Sequence, residues 1–259
     1  MTRARLPFAP LIILSFALVA LLVVPVAVVV LSALEPDTLK NLTSETTLAA
    51  LRLSLITTLS TLLITLVLGT PLAYLLARYS FWGKRFLEGL IDLPIVLPPT
   101  VAGLALLLTF GRQGLLGWYL DALGVRIAYT TLAVVLAQLF VASPLYIRTL
   151  KTALSPLALE SAALTLGANR WRIFWRITLP LAAPQLLEGV VLTWARALGE
   201  FGATLLFAGN LSGRTQTMPL AIYAAFEFNL DAALGLSAIL TLVAFALLTL
   251  VRLSARLDT

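Results

Sequence analysis

The 259-residue chain is 60% hydrophobic and 12% charged, with a mean hydropathy of +1.01, whereas charged residues make up about 25% of an ordinary soluble domain. That balance excludes a soluble globular protein and points to an integral membrane protein. Cysteine and histidine are both absent, which excludes disulfides, thiolate chemistry, histidine metal sites and imidazole acid–base catalysis.

A helix needs about 20 mainly apolar residues to cross ~30 Å of hydrocarbon. Six stretches qualify, at roughly 8–33, 47–77, 87–110, 128–150, 182–207 and 232–252. They use most of the chain, so the sequence reads as one all-α, polytopic transmembrane domain over 1–259. The first stretch follows Arg3 and Arg5 but outruns the about 7 to 15 apolar residues of a secretory signal and lacks a small-x-small cleavage site, so it reads as a retained span. A short polar connection at 34–46 carries Glu35, Asp37, Lys40 and Glu45. The run RYSFWGKRF at 78–86 mixes positive charge with aromatics, as an interfacial turn should.

The third span is interrupted. In DLPIVLPPTVAG, 92–103, Pro94, Pro98 and Pro99 each remove a backbone donor and disfavour helix just before them. Broken helix at membrane depth is tolerated where protein or a water-filled cavity satisfies the freed groups. This stretch is therefore a candidate wall or gate of a pathway, the alternative being a span that begins after Pro99 with Asp92 at the cytosolic interface.

Between the fourth and fifth spans, residues 155–180 read SPLALESAALTLGANRWRIFWRITLP, a polar helix–turn–helix. Ser155 and Pro156 form a helix start, Gly167 a left-handed stop, and Asn169 a cap for a second helix from Arg170 to about Leu179, closed by Pro180. Trp171, Phe174, Trp175 and Thr178 recur at helical spacing while Arg170, Arg172 and Arg176 take other faces, a pattern suited to a membrane surface. A DNA-reading helix–turn–helix would need a soluble basic domain around it, and there is none.

In the fifth span Arg196 and Glu200 stand four apart, on one helical face, and Gly199 and Gly202 permit close approach by another helix. Intramembrane charges are costly enough to require pairing, so the two form a structural or gating pair. The chain then leaves the membrane through Asn210, Ser212, Gly213, Arg214, Thr215, Gln216 and Thr217, a run rich in hydrogen-bond donors.

With a cytoplasmic N-terminus, Arg3, Arg5, Arg78, Lys84, Arg85, Arg148, Lys151, Arg170, Arg172, Arg176, Arg252 and Arg256 face inward and Lys40, Arg112, Arg126 and Arg214 outward. Twelve against four places both termini inside, and accounts for the net charge of +6 as topology and contact with anionic lipid, without nucleic acid. No G-x-x-x-x-G-K-[ST] phosphate loop is present, nor an internal repeat of the kind built into many secondary transporters.

The 155–180 loop resembles that of the permease subunits of bacterial and archaeal ABC importers: EAA, three residues, Gly, nine residues, Ile, any residue, Leu-Pro. Ala162 and Ala163 precede Gly167 by the required spacing, and Ile177 and Leu179-Pro180 follow. The motif glutamate falls on Ser161, with Glu160 one residue earlier. The resemblance implies a helix docking in a cleft of a separate ATPase, through Glu160, Ser161, Ala162, Ala163, Gly167, Ala168 and Arg170.

LPIVLPPTVAG, FGRQGLLG (110–117), GEFGAT and AGNL-x-GRTQT-x-PLAIY resemble the molybdate/tungstate branch of that family, with sulfate/thiosulfate importers as near relatives. This implies a homodimer working with two cytoplasmic ATPases and an extracytoplasmic oxyanion-binding protein in the inner or plasma membrane of a bacterium or archaeon. ATP–Mg belongs to the ATPase. This chain would bind no cofactor or metal and have no catalytic residue. The candidate pathway or gate residues are Pro98, Pro99, Arg196, Glu200, Thr204, Asn210, Arg214 and Thr217.

Two other classes compete. A polytopic lipid-phosphate transferase would need clustered catalytic groups, but the twelve acids are scattered. An ATPase-independent secondary transporter or channel would not co-purify with an ATPase.

Overall fold

A computed structural model describes residues 8–35, 38 and 44–256; Arg3, Arg5, Asp37 and Lys40 lie outside them. Among the described residues the regular structure is helical throughout. Helix α1 (Phe8–Ser32) is apolar on every side and packs against the last helix while presenting leucine and valine outward, as a lipid-facing span does.

Helix α2 (Glu45–Arg78) starts at Ser44, whose hydroxyl accepts from the Thr47 amide at 3.3 Å. The middle of its buried face is polar and small-chained, between Ala50 and Ala73–Leu76. Ser54, Thr57, Thr58, Thr61, Thr65 and Gly69 recur along it, and such small side chains let helices approach closely in a membrane. At Gly69 an added Cβ would stand 3.1 Å from the Tyr146 ring. Thr61 donates to Gln138 Oε1 (3.1 Å), Gln138 Nε2 to Thr57 (3.3 Å) and Trp194 Nε1 to Thr58 (2.9 Å), each worth about 0.6 kcal/mol in a bilayer.

Helix α3 (Lys84–Val96) and α4 (Pro99–Phe110) are bent by 116°, as the prolines predict. At 12 residues α4 is only about 18 Å long, too short to cross alone. The alternative of a full span beginning after Pro99 therefore does not hold, although Asp92 does sit in a polar setting, 3.7 Å from Arg148. Next to it Glu88 pairs with Lys151 at 2.7 Å. These pairs fasten α3 to the end of α6 (Thr131–Ala153), which follows a short α5 (Gly117–Ala122). Helix α6 is the centre of the bundle, burying Ala133, Val134, Ala137, Gln138, Val141, Tyr146 and Leu150.

After α7 (Ala158–Thr165), helix α8 runs from Arg170 to Leu198. Pro180 does not close the second loop helix. A proline interior to a helix crowds the carbonyl four residues back. Here a π turn over Phe174–Thr178 loosens the backbone just before it, with the Leu179 amide reaching back to the Phe174 carbonyl; insertions of this kind absorb such a mismatch. The loop helix and the fifth span are thus one continuous helix.

That helix stops at Leu198 instead of reaching 207, and α9 (Gly202–Ala208) is a separate short piece. Helix α10 (Met218–Phe228) forms a hairpin with α11 (Leu230–Arg256). At 11 residues α10 is shorter than a span, so a span-length reading passes over it. Helices α1, α2, α6, α8 and α11 are long and apolar enough to cross a membrane, and the bent α3–α4 pair brings the number to six when it is counted as one span.

Candidate functional site

The 155–180 loop is built from local chemistry. Helix α7 begins at Ala158 and not at Ser155–Pro156, because the Ser155 hydroxyl donates to the Lys151 carbonyl (3.1 Å) and finishes α6 instead. The other end is as the sequence predicts. Gly167 has φ +84°, its amide meets the Leu164 carbonyl and the Ala168 amide the Ala163 carbonyl, both at 3.0 Å. This is the Schellman pair of bonds that ends a helix on a left-handed residue. Asn169 Oδ1 then accepts from the Arg172 amide at 2.8 Å, starting α8.

Glu160, the single charge of α7, is turned inward and 6% exposed. Arg78 at the end of α2 grips both carboxylate oxygens, Nη1 on Oε2 and Nη2 on Oε1 at 2.7 Å, and the Thr178 hydroxyl donates to Oε1 at 2.5 Å. The Arg78 hydrogen bonds hold the Glu160 carboxyl below the usual carboxylate range, outweighing the upward push of burial; Thr178 adds to the lowering. Ser161, Ala162, Gly167 and Arg170 face outward, while Ala163 and Ala168 are half-buried. Ser161, Ala162, Thr165 and the following Leu166, the last 88% exposed, give α7 an outer face with no charge of its own, Arg170 standing beyond it at the start of α8. A cleft of about 300 Å³ separates the loop from α2, lined by Tyr74, Arg78, Tyr79, Glu160, Ser161 and Arg170 among others.

The sequence positions of Arg78 and Thr178 do not single them out as functional. An arginine closing a span reads as a topology charge, and Thr178 fell on the aromatic face of the loop helix. Only their convergence on Glu160 separates them from such roles.

The second constellation lies where helices break. The Glu200 side chain is 1% exposed. One oxygen is 2.7 Å from Arg196 Nη1 and the other accepts from the Ala203 amide at 2.9 Å. The predicted pair therefore forms, but across the end of α8 and not along one helical face, and the same carboxylate caps α9, satisfying an amide that a short helix leaves free. Gly202 permits the expected close approach: a Cβ there would meet the Pro99 Cβ at 2.7 Å, and one on Gly103 the Ala203 carbonyl at 2.8 Å. Gly199 does not, since its nearest contact is the Ala195 carbonyl at 3.6 Å. Pro98 and Pro99 are largely exposed, although Pro99 also lies against Gly202.

The donor-rich run after α9 is largely occupied with itself. The Leu211 carbonyl accepts from the amides of Arg214, Thr215 and Gln216, and the Thr215 hydroxyl accepts from the Leu211 amide and donates to Gly209. Thr131 Oγ1 donates to the Arg214 carbonyl at 2.9 Å, leaving the Arg214 side chain exposed. Thr204 and Thr217 are buried, and their hydroxyls, like Asn210 Oδ1, have no hydrogen-bond partner among the described residues. Asn210 Nδ2 reaches the Leu220 carbonyl at 3.4 Å. Of the candidate pathway residues, Glu200, Thr204 and Thr217 are buried, whereas Pro98, Pro99 and Arg214 are exposed.

Residues 69–257 match the family model described as "Binding-protein-dependent transport system inner membrane component". The chain is 47% identical over 205 residues, 78% of either sequence, to the molybdenum transport system permease protein ModB of Mycobacterium tuberculosis. It is 38% identical over 256 residues, 96% of this chain and 89% of the relative, to the sulfate transport system permease protein CysW of Synechococcus elongatus. Its fold is similar to that in a crystal structure of a bacterial ABC transporter importing the acidic polysaccharide alginate, with a TM-score of 0.73 and 18% identity over 96% of this chain and 94% of that one.

Proposed function

The chain belongs to the family of binding-protein-dependent transport system inner membrane components, as a multi-pass permease subunit of an ABC importer, and from that premise we propose that it carries molybdate or tungstate into the cytoplasm by ATP-driven alternating access. Two copies form the pathway, two separate ATPase subunits hydrolyse ATP–Mg, and an extracytoplasmic binding protein delivers the anion. Both termini face the cytoplasm.

The observation that carries the reading is the standing-off loop, an eight-residue helix with an uncharged outer face between a Schellman turn and a buried anchor. A short helix held from inside and bare outside has the form of a part made to seat in a partner. The substrate class is supported by relatives named for molybdenum at 44–47% identity. Sulfate is the second reading, supported by the longer but weaker match to CysW. Glu200 has the wrong sign for an anion path, and Arg196 neutralises it, which suits a gate element better than a ligand.

The test is uptake into proteoliposomes. The chain alone should hydrolyse no ATP and concentrate no anion; with its ATPase and binding protein it should take up molybdate or tungstate on ATP addition, and sulfate less well. Sulfate preference would overturn the substrate assignment, and concentrative uptake without an ATPase would overturn the importer mechanism itself.

A further inference from the structure

We propose that Arg78, Glu160 and Thr178 form an internal latch that ties the loop helix α7 to α2, so that Glu160 positions the loop while the ATPase reads only its uncharged outer face. The proposal rests on the importer reading above.

Helix α7 has eight residues, too few to hold its own shape in water, so its pitch is set by what grips it. Glu160 sits in its first turn and its carboxylate is fully engaged, by a two-pronged arginine on one side and the Thr178 hydroxyl on the other. A forked arginine–carboxylate pair fixes orientation as well as distance. Swinging Glu160 out towards a partner would leave Arg78, only 18% exposed, without its counter-charge in a partly buried site, a costly state.

The connectivity makes the latch more than a local brace. Helices α6 and α8 are joined to the loop covalently, so any push on α7 reaches them directly. Arg78, at the end of helix α2, is 82 residues away in sequence and joins that helix to Glu160. Further along, α2 receives Trp194 Nε1 on Thr58, and Ser54 Oγ accepts from the Met218 amide at 2.7 Å. The latch thus joins the loop to a rigid helix whose far part holds the segment following Arg214. Thr178 lies in the π turn, which brings the α8 arm to the same carboxylate.

The experiment exploits the absence of cysteine. The permease is reconstituted with its ATPase and binding protein, and three quantities are followed: ATPase recovered on purification through the permease, ATP hydrolysis, and molybdate uptake. Glu160→Gln and Arg78→Gln should each lower uptake per ATP about tenfold, within the range of ordinary coupling energies, with ATPase recovery unchanged. Replacing both by cysteine should do the same, and joining the two thiols with a short bis-methanethiosulfonate should restore uptake to within about twofold of the wild type. Loss of ATPase binding in Glu160→Gln with binding kept in Arg78→Gln would make Glu160 a direct contact and overturn the proposal. So would a bridged pair that blocks uptake, or single variants with wild-type coupling. Should Arg78→Gln not reach the membrane, the bridged pair decides alone. An ATPase that does not co-purify with the wild type overturns the importer reading first, and the latch with it.

Discussion

Pro99 and Gly202 lie against each other so closely that a Cβ on Gly202 would come within 2.7 Å of the proline Cβ. The interruption of the third crossing and that of the fifth are therefore one contact, with Glu200 capping α9 beside it. A membrane helix that breaks must have its freed groups met by protein; here the two breaks pack on each other, while Glu200 meets the Ala203 amide.

Gly202→Ala should therefore overpack the contact, at a cost of about 1–3 kcal/mol, and Gly103→Ala should act alike against the Ala203 carbonyl. Gly199→Ala, with nothing nearer than 3.6 Å, is the control and should be near neutral. Thermal unfolding of the purified chain in detergent measures all three, and equal midpoints for Gly202→Ala and Gly199→Ala would count against the contact.

Glu200→Ala removes the Arg196 partner and the α9 cap together, while Glu200→Gln keeps an oxygen for the Ala203 amide and loses the charge. The first should cost roughly 2–3 kcal/mol and the second about half of that, as expected for stranding partly buried donors; Arg196, one third exposed, keeps some hydration. The order of the two thermal midpoints checks the assignment, and Gln no better than Ala would show that the cap contributes nothing.

At Gly167 the constraint is conformational, not steric: φ is +84° and no atom lies within 4 Å of an added Cβ. Gly167→Asn, which tolerates left-handed backbone, should keep most ATPase recovery and uptake. Gly167→Val should lose both by about tenfold, reflecting about 1–2 kcal/mol of backbone strain. Equal recovery for the two substitutions would place the importance of Gly167 elsewhere.

Glu160 faces Arg78 and Tyr74 from α2 and Thr178 from α8. Its carboxyl is held below the ordinary value of 4.5, so the ionised form is favoured by folding. The stability it contributes is then complete above pH 4.5 and lost as pH falls through the lowered folded value. The difference in thermal midpoint between the wild type and Glu160→Gln should stay constant from pH 8 to about pH 5.5. A difference already fading in that window would mean the carboxyl is not held low.

The charge count predicts cytoplasmic termini. A reporter active only outside the cytosol and fused after Thr259, beyond the described residues, should stay silent. A strong signal would require an odd number of crossings, and the bent α3–α4 pair would be the first to re-examine.

Much of this protein is legible from local chemistry. Span length against bilayer thickness located the crossings, proline placement located the bend at Pro98–Pro99, and the Gly167 turn and Asn169 cap are readable because each depends on residues within a few positions. What remained hidden depends on distant partners. That α8 passes through Pro180 is decided by a π turn whose Thr178 answers a carboxylate 18 residues back. The run from Asn210 to Thr217 looks like a row of free donors, yet its amides and the Thr215 hydroxyl close their own turn. Glu160 shows the division most plainly. Its type and spacing mark it as important, but a carboxylate at that position can face a partner or the chain's own interior with equal local propensity. The choice inward is made by Arg78, 82 residues away, because a half-buried guanidinium without a counter-charge costs more than an uncharged outer face on α7.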